Sequence, residues 1–451
     1  MRILLVAHRY PPDGRGGVEM VTRSLAGELV KAGEVVSVVT RRPAPVPRTT
    51  LDCDRSAEGA TIYRLTGSVP PQGAFIRGHE QLDRLFTEIL FEAAPDLIHI
   101  HHLIDLSPRF AELAHRHAAL VFSLHDFYLA CPRVILRQPT GALCDGPDGG
   151  RECARVCFAY EGDLAQLRWG MRTAYFRRLL ALADSVICPS PYVASFFSKL
   201  VRDPGRLRTV ANGVALPPGE RALSPTSTPT ERGRLNLAFL GSVVPHKGPH
   251  VILEALQEAG LAAVSLRLFG QAPKIDYVAR LRDMAESVPG LQLQFFGAYQ
   301  PQQLPMILAD ADCVVAPSVW PETFAIVARE ALALGLPVLV SRLGALPDAV
   351  REGQNGFTFD PARPRELAAL LRRLAGDEAL LARLRDGARR TPVVGVAEHA
   401  AAVRGVYAEA LAARSGRDEP SQADAAELGF LLEGLREMGF GSHDVDYGDE
   451  E

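Results

Sequence analysis

A chain of 451 residues that is 47% hydrophobic and 23% charged has the composition of an ordinary globular protein and the length of two domains. Its formal net charge of −4 gives no electrostatic basis for binding nucleic acid. No run of about 20 apolar residues occurs, and the apolar stretch that begins at Ile3 is cut off by His8 and Arg9. These features predict neither a membrane span nor a secretory leader, but a cytoplasmic protein.

Charge is spread unevenly. Residues 1–215 hold 26 Lys/Arg and 22 Asp/Glu, a net of +4. Residues 418–451 hold 11 acidic residues and one Arg, a net of −10. Such a tail, 414–451, is expected to be solvated and partly disordered, with a short amphipathic helix available at 425–438.

Along the chain, strands alternate with helices. A strand is predicted at 2–7. A helix follows at 18–31, where Val21, Leu25 and Leu29 share a face and Gly33 ends it. Further strands fall at 35–40, 97–101, 119–124, 185–189 and 207–210, with a helix at 166–182. These apolar runs lack alternation, as in parallel strands covered on both faces. Residues 216–234 are rich in Pro, Ser and Thr without periodicity and read as a linker. The alternation then resumes. Strands are predicted at 235–240, 265–269, 291–296, 313–316 and 337–341. Helices are predicted at 251–259, 277–287, 301–309, 324–334, 364–374 and 378–390. A last helix, 396–413, is long enough to cross back onto the first domain.

The predicted class is therefore α/β: two Rossmann-like, doubly wound parallel-sheet domains, 1–215 and 235–395, facing a cleft. Ligands in such sheets bind beyond the carboxyl ends of the strands, and the chemistry-bearing motifs lie there. The loop His8–Glu19 opens a helix, and Gly14, Gly16 and Gly17 would let backbone approach a phosphate or sugar. It is not a GxGxxG dinucleotide fingerprint, and Thr40, Arg41 and Arg42 stand where an acid would end the second strand. A glycine-rich turn without a ligand is the plain alternative. In the second half, Gly241-Ser-Val-Val-Pro-His-Lys-Gly248 joins a strand to a helix, and Lys247 could neutralise a diphosphate there. Glu322 and Glu330 flank the start of the helix at 324–334. On continuous helix their spacing is about 12 Å of rise. That exceeds the roughly 5–10 Å between the carboxylates of glycoside hydrolases. It suits one elongated ligand touched at two points, or a plain amphipathic helix with Glu322 favouring its N-terminus.

Taken in order, Gly16-Gly17-Val18-Glu19, the loop through His246-Lys247-Gly248, and Glu322 with Glu330 in an E-x7-E frame ending Gly335-Leu-Pro-Val338 resemble family-4 retaining glycosyltransferases of the GT-B fold, over about residues 1–413. The resemblance implies a hexosyltransferase. It would move a sugar from a nucleotide-diphosphate donor to a glycan or lipid-linked acceptor, in cell-surface polysaccharide or glycolipid synthesis. It implies that Glu330 binds the ribose hydroxyls and that Glu322 faces the donor sugar, with backbone groups of Thr323, Phe324 and Ala325 beside it. Lys247 would hold the diphosphate, with the Gly16 and Gly17 amides meeting it from the other domain. His125, in Leu124-His-Asp126, matches the family histidine beside the sugar. Three positions depart from the family pattern: Ser242 where Arg is frequent, Ala325 where glycine is common, and Ala215 where an acid is usual. No cofactor is expected to be needed for catalysis. An epimerase or phosphorylase of the same fold, or a non-catalytic GT-B assembly protein, are the competing readings.

Two features stand outside this scheme. Cys131, Cys144, Cys153 and Cys157 lie in a Gly-, Pro- and Asp-rich insertion, 131–157, and four thiolates could close a structural zinc site there. Free thiols, disulfides or an iron–sulfur cluster are the alternatives. Cys53, Cys188 and Cys313 are expected to be small buried residues. The helix at 166–182 interleaves Arg168, Arg172, Arg177 and Arg178 with Trp169, Tyr175 and Phe176. Such a face can rest on anionic lipid, which would place the protein peripherally at the inner face of the membrane, or can simply be solvated.

Overall fold

The computed structural model describes residues 1–14, 16–68, 79–215, 233–415, 426, 428–431, 433 and 434. The described residues form two compact units, those within 1–213 and 396–434, and those within 214–395. Most of the predicted linker and of the acidic tail lies outside the described residues. The tail residues that are described are helical, and Leu428 and Leu431 are buried.

In the first unit eight strands form one sheet. They are β1 (Arg2–Ala7), β2 (Val35–Pro43), β3 (Thr50–Arg55), β4 (Thr61–Gly67), β5 (Leu97–Ile100), β6 (Ala119–Ser123), β7 (Ser185–Cys188) and β8 (Leu207–Thr209). Their order is β3-β4-β2-β1-β5-β6-β7-β8. Pairing is parallel except for β3, which runs antiparallel to β4. The central strands are buried on both faces, which is why they read as unbroken apolar runs. The helix Val396–Ser415 completes this unit: Val403, Val406 and Tyr407 join Ile3, Leu5, Leu25 and Val121 in one apolar cluster.

The second unit has a six-stranded sheet. Its strands are β9 (Leu235–Leu240), β10 (Val264–Phe269), β11 (Leu291–Gly297), β12 (Cys313–Ala316), β13 (Val338–Ser341) and β14 (Gly356–Phe359). They are all parallel, in the order β11-β10-β9-β12-β13-β14. The order reverses between β9 and β12, so the loops after these two strands flank the switch point where such sheets take ligands.

Several expectations are corrected. The helix expected at 324–334 is only Ile326–Ala333, because Ala325 adopts a left-handed conformation that helical backbone cannot contain. The helix expected at 301–309 is a 3-10 turn, Pro301–Gln303, followed by one turn, Leu304–Ile307. The hairpin of β3 and β4 was not expected, nor were the helices Glu80–Ala93, Phe110–His117 and Pro191–Ser198, nor β14. Cys53 is exposed on the edge strand β3, while Cys188 and Cys313 are buried as expected. The basic–aromatic helix, observed as Ala165–Ala181, does not present its aromatic residues. Trp169, Tyr175 and Phe176 are core side chains. Arg168 is paired with Glu161 at 2.7 Å, and Arg172 donates to the Tyr128 carbonyl at 2.6 Å. Among the described residues no helix is long and apolar enough to cross a membrane.

Candidate active site

The second unit gathers its predicted residues on the loops after β9 and β12. Gly248 has φ +76°, and a Cβ there would lie 2.1 Å from the Pro317 carbonyl oxygen, so only glycine lets the two loops touch. That contact brings Lys247 to Glu322. The Lys247 ammonium donates to both carboxylate oxygens, at 3.0 and 3.3 Å. Ser318 Oγ, at 2.6 Å, and Trp320 Nε1, at 3.1 Å, donate to the same carboxylate. Lys247 Nζ also stands 4.9 Å from the Trp320 ring centroid, within cation–π range. The Glu322 backbone is fixed as well: the Ala345 amide donates to its carbonyl at 2.7 Å, and Gly344 passes so close that a Cβ would sit 2.3 Å from that oxygen. Glu322 therefore anchors a charged loop and does not cap the following helix, whose first turn has no side-chain cap.

Glu330 is built differently. It lies on the helix Ile326–Ala333, 6% exposed, and makes no side-chain hydrogen bond or ion pair among the described residues. Burial alone pushes its carboxyl from the ordinary 4.5 up to about 7. Tyr299, after β11, is close enough that Glu330 adds to the upward shift of its phenol, though burial dominates that shift. Thr323, Phe324 and Ala325 complete this segment, all buried. Tyr299 could not have been picked out from sequence, because nothing in its local pattern marks it.

In the first unit the predicted Gly16–Gly17 loop opens the helix Gly17–Lys31. Its glycines serve Glu19 in this structure: a Cβ at Gly16 would stand 2.7 Å from one Glu19 carboxylate oxygen, and one at Gly14 2.9 Å from the other. Burial raises the Glu19 carboxyl, opposed by the Glu19 and Gly16 amides. The helix start thus holds the Glu19 carboxyl group beside the two glycines. Asp13 in the same loop is clamped by Arg42 at 3.0 Å and Arg64 at 2.7 Å.

His125 follows β6 and belongs to a larger cluster than the sequence indicated. Its Nε2 lies 2.9 Å from His101 Nδ1. His99 Nε2 is 2.8 Å from Ser123 Oγ, and His99 Nδ1 is 2.8 Å from the Tyr407 hydroxyl. The Ile104 amide donates to His102 Nδ1 at 3.0 Å, so His102 carries its proton on Nε2 and donates to Asp126 at 2.7 Å. Burial alone would raise the Asp126 carboxyl; His102 and the Tyr128 amide hold it below its ordinary value. A small cavity at these strand ends is lined by His101, His102, His125, Asp126 and Tyr128. Only His125 was singled out from the sequence; the pairing of β1, β5 and β6 is what brings the histidines of this cluster together.

This cluster has a consequence for acid stability. Burial holds His8, His99, His101, His125 and His399 below the ordinary 6.5, His125 at about 3. Below about pH 6.5 the unfolded chain takes up protons that the folded chain refuses, so acid favours unfolding. The stability these groups allow is present above that pH and is lost as the pH falls, by up to about 1.4 kcal/mol per pH unit for each histidine. Urea midpoints measured between about pH 8 and pH 5 are expected to drop steeply below 6.5. A flat profile would contradict the burial of these rings in the neutral form.

The cysteine insertion is held by packing. Cys153 and Cys157 bound a single π-turn and pack with Phe158 and Trp169, whose rings stack at 3.9 Å. Burial raises the thiols of Cys131, Cys144, Cys153 and Cys157. The expected zinc site is not formed: among the described residues no three His, Cys, Asp or Glu side chains are arranged to hold a metal.

With this geometry in place, the sequence matches two families. Residues 15–216 match Glycosyltransferase Family 4, and residues 224–391 match Glycosyl transferases group 1. The chain belongs to the family-4 glycosyltransferases. His125 and Gly16–Gly17 fall in the first match, and Lys247, Glu322 and Glu330 in the second. The enzyme is similar to glycogen synthase of Mycobacterium tuberculosis, with 27% identity over 416 residues, covering 86% of this chain and 90% of that one. It is 34% identical over 198 residues to D-inositol 3-phosphate glycosyltransferase of Rhodococcus opacus, covering 42% of this chain and 44% of that one. Among solved structures it resembles Anabaena HepE in complex with UDP and glucose, with TM-score 0.63 and 18% identity over 90% of this chain and 99% of that one. The likeness to these structures establishes the GT-B fold of the glycosyltransferase.

Proposed function

We propose that this glycosyltransferase moves a hexose from a nucleoside-diphosphate donor to a glycan or lipid-linked acceptor, with retention of the anomeric configuration. The observation that carries the reading is the pairing of a fixed cation with a buried, unpartnered carboxylate on one segment, Lys247 on Glu322 and then Glu330. A carboxylate held without donors is suited to accept from two neighbouring hydroxyls, as a ribose offers. An ammonium has three donors, and Glu322 does not need all of them, so Lys247 can also hold a diphosphate oxygen.

In the proposed reaction the bond between the anomeric carbon and the diphosphate oxygen breaks, and its electron pair stays on the diphosphate. Lys247 and the backbone amides at the start of the helix Ile326–Ala333 would offset that developing charge. The acceptor oxygen bonds to the anomeric carbon, and its proton passes to the departing phosphate. Glu322 is poorly placed as a nucleophile, because Lys247, Ser318 and Trp320 all hold its carboxylate. In the first unit, His125 is assigned to the donor sugar and Gly16–Gly17 to the diphosphate on the strength of the family resemblance. A metal at the four cysteines would be structural rather than catalytic.

UDP-glucose is the first donor to try, because HepE is described with UDP and glucose. Thermal-shift measurements with UDP-, GDP- and ADP-sugars are expected to find one that raises the melting temperature. A ligand at about 100 times its Kd stabilises by roughly 2.7 kcal/mol. Stabilisation by none of the three would sink the proposal.

A further inference from the structure

Ala325 is an alanine in a conformation that glycine adopts at little cost. Its φ is 58° and its ψ 59°, and it leads directly into the helix Ile326–Ala333. A side chain at such a position is strained, and the strain persists only where surrounding contacts hold it. Arg329, one turn further on, supplies such contacts. Its Nη1 donates to the Phe324 carbonyl and, at 3.5 Å, to the Ala325 carbonyl. Its guanidinium carbon lies 4.0 Å over the Phe324 ring.

An arginine is otherwise ill-suited to this place. It puts a cation near the N-terminal end of a short helix, where the helix dipole opposes it. Burial draws its pKa down to about 10, and Asp348, the carboxylate that partly offsets this, is not within ion-pair distance. What the guanidinium gives in return is direction. In a trans peptide the C=O and N–H point opposite ways. Holding the carbonyls of Phe324 and Ala325 therefore turns the amides of Ala325 and Ile326 away from Arg329. Neither amide has an acceptor among the described residues. Both belong to the segment read above as binding the donor.

We propose that Arg329 is a positioning residue: it braces the Phe324–Ala325 turn so that the donor-binding amides stay aimed at their ligand despite alanine at 325. This rests on the donor-site reading of the preceding subsection. The brace and a glycine are two solutions to one problem, and each should matter most when the other is missing.

The test is a double-mutant cycle read by calorimetry with UDP, GDP and ADP as probes. Arg329→Leu is expected to weaken the nucleotide that the wild type binds by about tenfold, equivalent to ~1.4 kcal/mol. Ala325→Gly is expected to recover most of that loss, and to improve binding more in the Arg329→Leu background than in the wild type. Unchanged affinity in Arg329→Leu overturns the brace alone, as does an equal gain from Ala325→Gly in both backgrounds. Binding of none of the three nucleotides by the wild type overturns the donor-site reading and the brace with it. Should Arg329→Leu not fold, Arg329→Lys keeps the charge without the flat fork and is expected to lose affinity; wild-type binding by that variant overturns the proposal.

Discussion

Glu330→Gln is expected to make the protein more stable at about pH 8 and, in the same sample, to weaken its hold on the donor. The two effects have one cause. Burial raises the Glu330 carboxyl to about 7 from an ordinary 4.5. The folded chain therefore holds a proton that the unfolded chain releases, so this group favours folding most below about pH 4.5. Its contribution is lost as the pH rises through 7, and the loss amounts to about 3 kcal/mol. Glutamine removes that penalty but leaves a neutral amide to be satisfied, which returns roughly 1–2 kcal/mol. A net gain of about 1–2 kcal/mol is expected at pH 8 and none at about pH 5, where Glu330 is already neutral. Urea unfolding at the two pH values measures this directly. Nucleotide affinity should fall about 10- to 100-fold, the worth of a charge-assisted hydrogen bond. In the wild type, affinity should also weaken below pH 7 as the carboxyl takes its proton. A variant that gains no stability at pH 8, or binds the nucleotide unchanged, would remove Glu330 from the site.

Glu330 also shows what the sequence could and could not carry. Its spacing from Glu322 was visible, but the inference of an unbroken helix between them failed at one residue. Ala325 is left-handed, and alanine gives no sign of that where glycine would have. The strands were legible because parallel strands buried on both faces leave continuous apolar runs, as at Leu235–Leu240. The edge strand Thr50–Arg55 is mostly exposed and polar, so the same signal was lacking there. Long-range pairs were beyond reach for a different reason. Lys247 and Glu322 stand 75 residues apart in sequence, and the parallel pairing of β9 with β12 is what joins their loops. The histidines followed the same rule: His101 and His125 meet because β5 and β6 pair in register, His99 against Val121. For the cysteines, spacing reports ligand types but not arrangement: Cys153 and Cys157 pack beside the stack of Phe158 on Trp169.

Lys247→Ala is expected to leave a folded protein with very little turnover. The lysine side chain is 25% exposed and the Glu322 side chain 13% exposed, so the pair is only partly withdrawn from water. Losing the cation leaves Glu322 with its hydrogen bonds from Ser318 and Trp320, so the carboxylate is not stranded. The cost in stability should therefore be small, on the order of 1 kcal/mol. The cost in rate should be large. Charge on the leaving diphosphate grows as the glycosidic bond breaks, so an ammonium fixed beforehand stabilises the transition state more than the bound donor. Removing one such group lowers kcat by roughly 10²–10³ in well-studied cases, and the loss should fall on kcat more than on KM. Glu322→Gln should do less: it frees the ammonium from its ion pair but keeps Lys247 in the site. Steady-state kinetics with the donor found by thermal shift, alongside the melting temperatures, separates these outcomes. If Lys247→Ala turned over at the wild-type rate, the cation would be ornamental to the chemistry and Glu322 would be its structural partner only.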